Sequence, residues 1–229
     1  MSRRALSALA AAVLLLGLSA CSSDDAESDE TSESASASAP KVAVPAGVTL
    51  TKPGSTLRLG QPASVVYKAG PGRVSVVTVT VTKIAVGSMQ KDFANFALGA
   101  DQMRSTPYYV TATVRNAGPG QLGRAAVPLY GHDSTNTFFP AVTLVGELDP
   151  CAGGPLAATF GPKATQRTCL VYLVHKGATL ESVELRPYDG FDPVRWTVPE
   201  SVKPPPTKAP PSKRPASKPP ASKSPPTKS

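Results

Sequence analysis

Residues 41–198 predict an all-β domain, an antiparallel β-sandwich of about seven or eight strands. Three observations carry this. Apolar residues recur with period two over short stretches, Gly, Pro, Asn and Asp separate the stretches, and no run of helices alternates with them. Ser64 to Lys68 is the first such stretch. Val77 to Thr82 alternates valine with threonine, so one face is buried and the other wet. Helical spacing occurs only at Phe93, Phe96 and Ala97 beside Leu98, and that stretch is short. Tyr108, Val110, Ala112 and Val114 alternate with Tyr109, Thr111, Thr113 and Arg115, after which Asn116-Ala117-Gly118-Pro119-Gly120 supplies a turn. Phe138 to Leu144 is a further candidate strand. Cys169 to Val174 is continuously apolar, the pattern of a strand covered on both faces. Leu180 to Arg186 and Val194 to Val198 complete the set, with Trp196 as a core residue of the last strand or, alternatively, an exposed binding aromatic.

The chain has 229 residues, enough for one such domain plus appendages. Residues 1–20 have a basic head, Arg3-Arg4, and an apolar run from Ala5 to Leu18 that is too short to span a bilayer, which makes them a secretory signal. Cys21 directly after Leu18-Ser19-Ala20 resembles a bacterial lipobox. The resemblance implies a diacylglyceryl group on the Cys21 thiol, cleavage between Ala20 and Cys21, and a lipid anchor on the extracytoplasmic face of the cell membrane. Residues 21–40 form an acidic, Ser/Ala-rich linker with Asp24, Asp25, Glu27, Asp29, Glu30 and Glu33 and no Lys or Arg. Without large apolar side chains it cannot offset its ordering entropy, and it is expected to be a disordered spacer.

With Cys21 taken by lipid, Cys151 and Cys169 remain, an even pair in a compartment where disulfides persist. A bridge between them would contribute about 3 kcal/mol by chain entropy. Two buried free thiols are the alternative. Zinc is disfavoured, since His132 and His175 are the only histidines available to complete a ligand set.

The strand ending at Lys83-Ile84, the stretch Tyr108 to Asn116, and the run Cys169 to Val174 followed by Gly177 occur in an order that resembles the immunoglobulin-like, telokin-like domain of secreted and lipid-anchored Gram-positive proteins. The resemblance covers Gly60 to Val198. It implies an immunoglobulin-like sandwich, and the family mostly lacks assigned function. High Ala, Gly, Pro and Arg content fits an actinobacterial source. The antibody-type Cys, Trp, Cys spacing is absent.

Residues 199–229 end in a pentad repeat with Lys first, Pro third and Ser or Thr fifth. Proline at this density favours polyproline II, and a five-residue step turns each Lys by about 240° around that axis. Lys203, Lys208, Lys213, Arg214, Lys218, Lys223 and Lys228 therefore surround a rod, which suits a diffuse polyanion such as an anionic wall polymer. A solubilising tail without a partner is the alternative. Export and the lack of tail aromatics disfavour nucleic acid.

Catalytic signatures are missing. Gly131-His132-Asp133-Ser134 holds the residue types of a hydrolase triad, but neighbours in sequence cannot line up as nucleophile, base and orienter. Asp189-Gly190-Phe191-Asp192-Pro193, with Glu147 and Asp149 at a distance, supplies too few oxygens for calcium and reads as a turn. No cofactor or metal is expected. The sequence reads as a non-enzymatic lipoprotein, a binding or scaffold module with an unidentified envelope partner. A membrane-to-wall tether acting through the tail is the first alternative and an envelope enzyme the second.

Overall fold

The computed structural model describes residues 40–203. The signal segment, Cys21, the acidic residues of the linker and the tail lysines from Lys208 onward lie outside the described residues.

Among the described residues nine strands form two sheets. They are β1 (Thr56–Leu57), β2 (Pro62–Gly70), β3 (Arg73–Val86), β4 (Thr106–Asn116), β5 (Leu129–Asp133), β6 (Phe138–Pro140), β7 (Thr165–Val174), β8 (Leu180–Leu185) and β9 (Val194–Thr197). One sheet has the order β1-β9-β8-β5-β6 and the other β2-β3-β4-β7. All pairings are antiparallel except β1 with β9. β4 pairs with β7 in one sheet while β5 pairs with β8 in the other, and the chain crosses between sheets after β1, β4, β6 and β7. This is the Greek-key connectivity of an immunoglobulin-like sandwich, as predicted.

The period-two stretches fold as their patterns require. Val77, Val79 and Val81 of β3 and Tyr108, Val110, Ala112 and Val114 of β4 are all fully buried. Leu129, Val183, Leu185, Val194 and Trp196 meet them in the same core. Register between β3 and β4 slips between Val81 and Lys83. The extra residue reverses the alternation, and Ile84 turns inward where strict period two would have exposed it.

Cys169 to Val174 is apolar throughout because half of the β2-β3-β4-β7 sheet is covered on its outer side as well. Tyr109 and Val171 point outward there and pack with Met89, Phe93, Leu148 and Cys151 in a second core. The Cys151–Cys169 disulfide, with Cα atoms 5.2 Å apart, fastens this cover to β7. The stretch with helical spacing, Phe93 to Leu98, is not helical; one helical turn, α1 (Met89–Asp92), lies just before it, capped by the Ser88 hydroxyl, which accepts from the Lys91 N–H. Phe93 and Phe96 then pack ring to ring at 5.6 Å.

Three boundaries differ from the sequence reading. β6 stops at Pro140, which has no N–H for the ladder. The chain then crosses to β7, where the Val142 N–H donates to the Val171 carbonyl at 2.8 Å, so Val142 and Leu144 serve the second core. Gly131-His132-Asp133-Ser134, whose polar residues suggest a turn, lies for the most part in a strand, Leu129–Asp133, whose even positions are outward and polar. After β9 a 3₁₀ turn, Glu200–Val202, packs Val202 against the core, so folded structure reaches past residue 198.

Candidate functional site

The outer face of the β1-β9-β8-β5-β6 sheet carries an ordered polar and aromatic platform. Register places Tyr130 beside Glu184 and Glu184 beside Arg195, with His132 between Ser182 and Phe138 in the next row. Alternation sends Leu129, Gly131, Val183, Leu185, Val194 and Trp196 inward and these side chains outward. Glu184 faces solvent yet is 1% exposed, because its neighbours close over it. Arg186 donates to its Oε2 from Nε at 2.8 Å and Nη2 at 2.6 Å, and Arg195 Nε donates to Oε1 at 2.8 Å. His132 Nδ1 lies 3.7 Å from the same Oε1.

Burial alone would push the Glu184 carboxyl up, but the hydrogen bonds from Arg195 and Arg186 outweigh it and hold the group below the ordinary carboxylate range. Glu184 stays ionised and fixes two guanidinium groups. Arg186 sits 3.9 Å over the Phe138 ring, a cation–π contact, and Tyr130 meets that ring edge-on at 6.4 Å. Phe138 remains 54% exposed. A carboxylate saturated by two arginines is a poor proton carrier, whereas a fixed aromatic and guanidinium surface suits recognition.

The residues of Gly131-His132-Asp133-Ser134 diverge. His132 points outward and its Nε2 pairs with Asn136 Oδ1 at 3.0 Å. Asp133 points inward, and its Oδ1 accepts from the Thr135 N–H at 2.9 Å, the Thr135 hydroxyl at 2.7 Å and the Thr137 N–H at 3.1 Å, closing the turn into β6. His175 Nδ1 approaches Asp133 Oδ2 at 3.4 Å. Ser134 Oγ accepts from the Thr179 N–H at 3.1 Å. The arrangement holds a hairpin and forms no relay.

Asp189 and Asp192 are exposed in the turn before β9, where the Asp192 carbonyl accepts from the Gly54 N–H at 3.0 Å. Among the described residues no three metal-ligating side chains cluster. Lys203, the one tail cation among the described residues, pairs with Glu181 at 2.6 Å and Glu200 at 3.4 Å. Its charge is engaged by the domain.

Among the described residues four carboxylates titrate low. Burial opposes ionisation of Asp133, but the Thr135 hydroxyl, the Thr137 and Thr135 N–H groups and His175 prevail. The Ser88 N–H and then the Tyr109 hydroxyl lower Asp92 against a smaller effect of burial, with Lys91 adding to the lowering. The hydrogen bond from Lys203 and then that from Thr179 lower Glu181 against burial, and Glu184 is the fourth. A depressed folded value contributes stability that is fully present above the unfolded value of about 4 and is lost as pH falls through the folded one. Urea midpoints are therefore expected to hold steady above about pH 5 and to decline progressively below about pH 4. A midpoint flat down to pH 2 would contradict these pairings.

No family model matches the chain, and no curated protein matches it in sequence. Among solved structures it is similar to a secreted protein from Mycobacterium tuberculosis, MPT63, with a TM-score of 0.44 and 12% sequence identity over 62% of this chain and 96% of that one.

Proposed function

We propose that the chain is a membrane-anchored, extracytoplasmic, non-enzymatic binding or scaffold module of the cell envelope, which meets its partner through the platform around Glu184. The observation that carries the reading is the exposed Phe138 ring, held between Tyr130 and an Arg186 guanidinium that a buried carboxylate fixes in place. The anchor rests on Leu18-Ser19-Ala20-Cys21. Two acyl chains would make it stable where one would be reversible.

Cell fractionation and envelope binding test the two halves separately. Cys21→Ala is expected to release the protein from membranes, and its retention there would sink the anchor. Phe138→Ala removes a half-exposed ring with its Tyr130 and Arg186 contacts, so unfolding should shift by only about 1–2 kcal/mol and the domain should stay folded. Binding of the unlipidated chain to washed envelopes should weaken by about tenfold, as for a recognition aromatic. Unchanged binding would remove the platform from the reading. The tether reading is favoured by the pentad spacing of the lysines, and deletion of residues 204–229 would abolish wall association if the tail carries it.

A further inference from the structure

The charges of this domain are segregated in a way that the platform does not use. β2, β3, β4 and β7 contain Lys68, Arg73, Lys83, Arg115 and Arg167 and no Asp or Glu. Residues 117–127 and 155–164, the segments leading out of β4 and into β7, add Arg124 and Lys163 and again no acid. Every carboxylate of residues 40–203 lies elsewhere in the chain.

Topology brings four of these cations to one end. Arg115 and Arg167 are exposed on the outer side of adjacent strands, Arg115 opposite Thr165 and Arg167 opposite Thr113. Lys163 is exposed and tied to the end of β4, its N–H donating to the Asn116 carbonyl at 2.8 Å. Arg124 is exposed beside the 155–164 segment, its N–H shared by the Leu156 and Ala157 carbonyls at 3.1 Å. None of the four forms an ion pair among the described residues. The second core covers only the other half of this face.

Beside the cations lie hydroxyls. One row across the sheet reads Ser64, Thr78, Arg115, Thr165, and the next reads Pro62, Thr80, Thr113, Arg167. We propose that this open half-face and the adjoining loops form a second docking surface, for an extended polyanion with a phosphodiester backbone. Charge complementarity selects an anion, because the strands and loops that form the surface carry no acid; the exposed Glu147 and Asp149 belong to the segment that covers the other half of the face. Guanidinium and hydroxyl groups are both donors to phosphate oxygens. Each row carries one cation, Arg115 on β4 and Arg167 on the neighbouring β7, and Lys163 and Arg124 add two more on the adjoining loops, so the cations are met at separate points and the ligand carries its charges in series. The tail repeats have the same sign as the face, and the two would engage one polymer together.

The test uses the full chain carrying Cys21→Ser, with poly(glycerol phosphate) as the probe across a salt series. The variant R115Q/R124Q/K163Q/R167Q is expected to bind about tenfold or more weakly, with the slope of log affinity against log salt reduced by about 3. The tail is intact in every protein, so this difference belongs to the face. A second variant, K41Q/K52Q/R58Q/K176Q, removes equal charge from exposed positions elsewhere and is expected to change binding little. Matching thermal midpoints for all three proteins establish that folding is not the cause. An unchanged slope in the first variant would assign binding to the tail alone and overturn the proposal. So would an equal loss in the second variant, which would reduce the effect to net charge. Binding to phosphatidylglycerol vesicles without binding to the polymer would also overturn it, since the anion would then be a lipid surface.

Discussion

Trp196→Ala is expected to lower stability by about 4–5 kcal/mol in urea unfolding, at the upper end for loss of a buried aromatic. The ring is fully buried. It sits where β9 joins both neighbours, opposite Val183 of β8 and Leu57 of β1. Its Nε1–H donates to the Gln61 carbonyl at 3.0 Å, so the side chain also fixes the turn from β1 into β2, which links the two sheets. Truncation would leave a cavity and an unpaired carbonyl together, two effects that add. Trp196→Phe separates them: it keeps most of the packing, loses the donor, and is expected to cost about 1–2 kcal/mol. If the two variants cost the same, the hydrogen bond and not the ring is what holds this end of the sandwich.

Trp196 was legible in the sequence because a short apolar strand asks for a core residue at that position. β3 and β4 were legible because alternation is a local property that survives in the folded sheet, and β7 because its unbroken apolar run marks a strand covered on both faces. What was not legible depends on distant pairing. The bulge after Val81 is visible only once β4 supplies the register that Lys83 joins one residue late. β5 was missed because Tyr130, His132 and Asp133 look like turn residues until β6 and β8 flank them. The platform has a faint signature, Glu184 and Arg186 two residues apart on one face. Arg195 comes from β9 and Phe138 from β6, and no spacing in the chain announces that these four meet. Even the disulfide was only half legible. An even cysteine pair predicted the bond, but not that it would fasten a cover over the outside of a sheet.

Asn116→Ala is expected to cost about 3 kcal/mol or more, although the residue reads as an ordinary turn former at the end of a strand. Its side chain is fully buried. The amide oxygen accepts from the Ser75 hydroxyl at 2.7 Å, while the nitrogen donates to the Gly120 carbonyl at 2.7 Å and the Phe160 carbonyl at 3.1 Å. Ser75 Oγ in turn accepts from the Gly120 N–H at 3.1 Å. One amide thus joins β3, the turn after β4 and the loop before β7, with every donor and acceptor it has near this end of the sheet in use. Removing it leaves two carbonyls and a hydroxyl without their partner, and each such orphan costs about 1–3 kcal/mol unless water reaches it. Asn116→Asp keeps the shape and the acceptor but exchanges the donor for charge against the Gly120 and Phe160 carbonyls, so it is expected to destabilise at least as much as alanine at neutral pH and to recover partly when the carboxyl is protonated in acid. Urea midpoints at neutral and acidic pH measure both variants. An aspartate variant as stable as the native chain at neutral pH would mean that the Asn116 nitrogen donates to neither carbonyl.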